Sequence, residues 1–193
     1  LPKGVSIRIM YDRKDLVDST LETVAHTLFE GVSIVIIVLV FFLGNVRAAL
    51  SVALTIPLSL LFAFIVMNIT NIPANLLSLG AIDFGIIVDG AVIIVEATLH
   101  HLHERKFTRR TTQAEMDAEV YDAASKIRSS AAFGEIIILI VYLPILALVG
   151  TEGKMFKPMA QTVSFAILGA FILSLTYVPM ASALFLSKTI SHK

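Results

Sequence analysis

The distribution of charge limits what this chain can fold into more than any other feature. Runs without a charged residue, such as Val32 to Leu43 and Ala48 to Met67, alternate with polar links. Crossing the hydrocarbon core of a bilayer takes about 20 apolar residues in a helix. Five stretches qualify: about 27–44, 48–67, 76–97, 131–150 and 159–186. Three of the links are short, Gly44 to Arg47, Asn68 to Asn75 and Thr151 to Pro158, and one is long, 98–130. Inside a bilayer the backbone must satisfy its own hydrogen bonds, and runs of this length do so as helices. The expected fold class is therefore an all-α membrane protein with five transmembrane helices. Pro57, Pro144 and Pro179 lie within the spans and predict kinks.

Composition agrees and removes several functions. Only 16% of the residues are charged and 56% are hydrophobic, where a soluble domain carries about 25% charged residues. Lys and Arg balance Asp and Glu at 15 each, so no basic footprint for nucleic acid is present. The absence of cysteine excludes disulfides, thiolate metal sites and thiol catalysis. Nothing resembles a phosphate-binding loop, and no enzyme activity is expected. The opening Leu1-Pro2-Lys3-Gly4-Val5-Ser6 has no basic region followed by an apolar core, so it is not a signal peptide. The sequence reads as the middle of something longer in both directions.

Lys and Arg concentrate on cytoplasmic loops. Arg47, the basic cluster Arg105, Lys106, Arg109 and Arg110, and the tail with Lys188 and Lys193 fall on one side of a five-span chain. The opposite short links hold only Lys154 and Lys157. The N-terminus is thus expected outside and the long link inside. From Gln113 to Ser130, the apolar Val120, Ala123, Ala124 and Ile127 oppose Glu115, Asp117, Glu119 and Lys126, which predicts an amphipathic helix. It lies either on the inner leaflet or in solvent as a connector. The chain divides accordingly into 1–26, a descent into the membrane, 27–97 with three spans, 98–130 as the cytoplasmic link, 131–186 with two spans, and the tail 187–193.

The third span carries the chemistry. Asp83 and Asp89 sit in its apolar run, which centres near Ile86. At 1.5 Å per residue both are expected within roughly 5 Å of the midplane. An Asp there costs at least about 2.5–3.5 kcal/mol, so each needs a bundle interior, a wet cavity or a cationic partner. Asp89 and Glu96 are seven residues apart and share a face, whereas Asp83 lies about 120° round the helix. A midplane carboxyl beside a movable Lys can take up and release protons. Asp89 and Asp83 are read as such groups, the alternative for each being a static buried ion pair. Glu96 either extends the relay or ends the helix in water. Gly80, Gly85 and Gly90, spaced at five, read as close helix packing. Glu135, one turn inside the fourth span, either faces the bundle or snorkels to the interface. His100, His101 and His103 form a short His-rich tract, which binds metal or simply lines the interface.

These residues resemble a known pattern. Asp83-Phe84-Gly85, Asp89-Gly90-Ala91 and Val95-Glu96 match the fourth-helix signature of heavy-metal efflux pumps of the resistance–nodulation–division superfamily, with Ala97 in place of the usual final Asn. Phe42 to Leu50, Ile56 to Phe64 and Glu152 to Ala160 look like further stretches of the same family. The resemblance implies helices two to six of a twelve-helix subunit in the bacterial inner membrane. It implies a proton-driven metal cation exporter, with Asp89, Asp83 and Glu96 in the proton relay and metal ligands elsewhere. No cofactor is implied beyond the transported divalent cation and protons. The implied partners are two further copies in a homotrimer, a periplasmic adaptor, an outer-membrane channel and membrane lipid. Asp83 leans toward the divalent branch over the copper and silver branch. Two other readings compete. One is a drug or lipophile exporter of the same superfamily, whose fourth helix typically carries adjacent aspartates where this chain has Asp89-Gly90. The other is a non-transporting scaffold or sensor, which would gain nothing from two midplane carboxylates.

Overall fold

The computed structural model describes residues 13–73, 82–104 and 112–185. Among them there is no strand, and seven helices follow one another: α1 Arg13–Leu43, α2 Val46–Ala53, α3 Thr55–Ile69, α4 Phe84–Glu104, α5 Gln113–Leu146, α6 Gly150–Leu175 and α7 Tyr177–Phe185. Five stretches are long and apolar enough to cross a membrane: Val17–Leu43, Val46–Ile69, Phe84–Leu102, Gln113–Leu146 and Gly150–Leu175. The fold is thus the expected all-helical, five-span bundle.

Local chemistry sets the boundaries. Gly44 ends α1 at φ 61°, a left-handed conformation open to glycine at no steric cost. Asn45 then caps α2, its side-chain oxygen accepting from Arg47 N at 3.0 Å and Ala48 N at 3.3 Å. The second span is bent at Leu54, between α2 and α3. Pro57 is the cause: it has no N–H to give the carbonyl of Ala53, four residues back. Pro179 acts likewise on Leu175, where α6 gives way to α7. At Pro144 the helix is not interrupted; α5 runs past it and stops two residues later at Leu146.

Two links differ from the sequence reading. The amphipathic segment from Gln113 is helical, but it does not end before the fourth span. It is the first half of α5, 34 residues long and about 51 Å at 1.5 Å per residue. That exceeds the roughly 30 Å hydrocarbon core. Its apolar side, with Met116, Val120 and Ala123 buried, packs on α4 instead of lipid or solvent. Thr112 and Glu115 start it with a capping box: Thr112 N donates to Glu115 Oε2 at 2.8 Å and Glu115 N to Thr112 Oγ1 at 3.4 Å. The stretch expected as a polar link, Thr151 to Pro158, lies within α6, which continues past Pro158 to Leu175.

The core is built on small residues. Ala91, Ala160, Ala166 and Ala170 are buried on α4 and α6, and Ala48, Ala49 and Ala63 on α2 and α3. A Cβ at Gly169 of α6 would stand 2.7 Å from Phe62 Cδ1 of α3, so that crossing depends on glycine. Helices approach this closely in membranes through such residues, which gain dispersion contacts where no hydrophobic force acts. α4 sits centrally against α3, α5, α6 and α7. α1 is peripheral: only 6% of its spanning window is buried, against 44% for α4.

Candidate functional site

The acidic residues of the third span occupy three different settings. Asp83 immediately precedes α4, and its Oδ1 accepts from Gly85 N at 2.8 Å. Asp83 therefore caps the helix instead of sitting inside it. Phe84–Leu102 is apolar enough to span a membrane; residues 76–81, the first part of the expected third span, lie outside the described residues. The physical reason is that a short carboxylate satisfies the free N–H groups of a first turn. Beside it, Ile86 and Ile87 meet Val163, Ala166 and Ile167 of α6 in a seam with no room for water.

Asp89 and Glu96 both lie within Phe84–Leu102, about 10 Å apart along the helix axis. Both are exposed on the surface of the chain. No Lys, Arg or His among the described residues forms an ion pair with either. Glu96 does not end its helix in water, because α4 continues two turns to Glu104 and buries Thr98 and Leu102 on the way. Glu96 instead lines a groove of about 420 Å³ between α4 and α5, with His100, His101 and Lys126.

Below the groove, His101 Nε2 lies 2.8 Å from Glu119 Oε2 and 3.4 Å from Asp122 Oδ2. Lys126 Nζ donates to Asp122 Oδ2 at 2.8 Å. Here the His-rich tract serves to fasten α4 to α5. Among the described residues no group of three or more His or acidic side chains is placed to hold a metal ion; the side chain of His103 lies outside them.

Glu135 of α5 settles toward the bundle. It is 5% exposed, and neither carboxyl oxygen has a hydrogen-bond partner among the described residues. Its Oε1 covers Gly90 of α4 so closely that a Cβ there would collide with it. Asp89 is close enough for its charge to act on Glu135. Gly85, by contrast, meets only Asp83 of its own chain neighbourhood, and Gly80 lies outside the described residues. Sequence reasoning left Glu135 undecided, because the residue that selects its direction, Gly90, is on another helix.

Central helices with small-residue crossings and acids within a span define a multi-pass α-helical membrane protein. The chain belongs to the AcrB/AcrD/AcrF family, whose model matches residues 1–193. It is 52% identical over 195 residues to the cobalt-zinc-cadmium resistance protein CzcA of Cupriavidus metallidurans, covering 100% of this chain and 18% of that protein. It is 47% identical over 194 residues to the nickel and cobalt resistance protein CnrA of the same organism, with the same coverage. To the cation efflux system protein CusA of Escherichia coli it is 34% identical over 187 residues, 93% of this chain and 18% of that protein. The X-ray crystal structure of a heavy metal efflux pump superposes with a TM-score of 0.77 at 46% identity, covering 93% of this chain and 17% of that one. These matches bear out the resemblance read from Asp83 to Glu96. The chain spans about 18% of the length of the curated relatives it matches.

Proposed function

We propose that this chain is part of a proton-driven heavy-metal cation efflux pump, a metal/proton antiporter of the bacterial inner membrane, in which Asp89 binds the transported proton. One observation carries the reading. Asp89 sits within a spanning helix, on the surface of the chain, without a cationic partner among the described residues. A carboxylate at that depth requires a protein partner or water, because lipid cannot solvate it. A partner contributed by the remainder of a longer pump, with charge that moves during the cycle, would let the acid alternate between protonated and ionised forms. Glu96 and its groove offer the next polar stop toward the end of α4 that carries His100 and His101. Asp83, as a cap, contributes through the start of α4 more than by relaying protons.

The names of the relatives support divalent cargo. Identity is 52% to the cobalt-zinc-cadmium protein and 47% to the nickel and cobalt protein. A trimer working with a periplasmic adaptor and an outer-membrane channel follows from the family resemblance. The drug-exporter alternative meets a steric obstacle: an acidic side chain at position 90 has no space while Glu135 covers it. The scaffold alternative leaves Asp89 without a use.

The test is Asp89→Asn in the full-length pump. It keeps shape and some hydrogen bonding and removes the titratable group. Cells carrying it should lose metal resistance at normal levels of inserted protein. Full resistance at matched levels would show that protons travel elsewhere.

A further inference from the structure

Glu135 is an acid outside the α4 signature, and its surroundings fit no structural role. Asp83 and Glu115 each accept a backbone N–H at a helix start. Glu135 is 5% exposed, and both of its oxygens lack a hydrogen-bond partner among the described residues. Its carboxyl is wedged among three helices. A Cβ at Gly90 of α4 would collide with Oε1 and stand 3.1 Å from Cδ; the same Cβ would be 3.5 Å from Ser174 Cβ of α6. The Ser174 hydroxyl is turned away, donating to Phe171 O at 2.8 Å. The charged group that acts on Glu135 is Asp89, the neighbour of Gly90, and no Lys, Arg or His among the described residues does so.

A buried polar group without a partner is costly, and a buried charge more so. Glu135 lies against Gly90, the chain neighbour of Asp89, and two acids so placed, with no cationic partner among the described residues, disfavour being ionised together. A leucine would fill the same space at less cost, so packing alone does not account for an acid here. What an acid adds is an exchangeable proton. We propose that Glu135 and Asp89 form a proton-sharing carboxyl pair, in which Glu135 is a second proton-carrying group of the pump. This rests on the reading in which Asp89 exchanges protons. With one proton on the pair, the two acids share it, the O–H bond on one breaking as the O–H bond on the other forms, and Asp89 is the member open to the surface. A proton arriving from water forms an O–H bond on Asp89, leaving both acids neutral. When Asp89 gives its proton up, that O–H bond breaks, the proton passes to water, and the pair returns to one proton. The coupling makes the titration a property of the pair.

The test uses the full-length pump in proteoliposomes, with zinc as cargo and an internal pH dye. Glu135→Gln keeps volume and removes the titratable group. It is expected to displace the pH midpoint of zinc-coupled proton flux by about one unit or more. Glu135→Asp should restore the wild-type midpoint in part. Infrared difference spectra taken across pH supply a readout that a structural role would not move. The wild-type protein should show a protonated-carboxyl stretching band that Glu135→Gln lacks and whose titration is displaced in Asp89→Asn. A wild-type flux profile in Glu135→Gln, with flux lost in Asp89→Asn, overturns the pair and leaves the role of Asp89 standing. Retained flux in Asp89→Asn overturns both. If Glu135→Gln does not fold, the wild-type and Asp89→Asn spectra decide: absence of the band, or a band indifferent to position 89, overturns the pair.

Discussion

At position 90 only a hydrogen atom fits between α4 and the carboxyl of Glu135. Gly90→Ala is therefore expected to force α4 and α5 apart or to swing the acid out, at about 1–3 kcal/mol for an overpacked site. Thermal unfolding of the purified protein should show a lower midpoint, and Glu135→Ala in the same background should restore it. An unchanged midpoint in Gly90→Ala would mean the carboxyl moves aside freely. At this scale the sequence is informative about Asp89, because an acid in an apolar run is costly enough to demand a reason. It is silent about the contact between Gly90 and Glu135, since no periodicity links residues on two helices. The cap at Asp83 was not legible for a local reason: Asp followed two residues later by Gly suits a helix start as well as a helix interior, and its hydrogen bond to Gly85 N chooses the former.

Among the elements, spans were legible from their apolar length, and breaks at Pro57 and Pro179 from the missing N–H. Continuity was not. The amphipathic period before residue 130 and the uniform apolar run after it look like separate segments, yet one hydrogen-bonded helix carries both. The crossing of α3 and α6 offers a direct test of small-residue packing. Gly169→Ala places a methyl 2.7 Å from Phe62 Cδ1. It should lower the unfolding midpoint, and Phe62→Leu should recover most of the loss in the double variant, since residues in contact are not additive. Additive losses would show that the helices do not meet there. The fastening between α4 and α5 can be probed in the same way. Glu119→Gln with Asp122→Asn removes both acids that face His101. The double variant is expected to increase hydrogen exchange in residues 113–123 while leaving α3 and α6 unaffected; equal protection throughout would assign the clamp no role.

For the whole molecule, the burial is uneven. Three spanning windows are 44% buried, while those of α1 and α5 are 6% and 11% buried. Large apolar side chains such as Phe29 and Phe41 stand 76% and 91% exposed. Such faces belong against lipid or against other parts of a longer protein. Asp89 and Glu96, open on the surface, fit the second description. These residues reconstituted alone in liposomes are accordingly expected to show no proton-coupled zinc flux above protein-free vesicles, measured with an internal pH dye. Flux from this chain by itself would mean that the exposed acids are already complete. The unbroken course of α5 also has a mechanical meaning. From Glu119 to Glu135 the helix is a stiff rod of about 24 Å. With the His101 pair as fulcrum, a tilt of about 5° carries the far carboxyl about 2 Å sideways, enough to lift it off its glycine seat. The alignment of a buried acid with an exposed one is thus held by the angle of one lever, whose pivot lies beside the histidines.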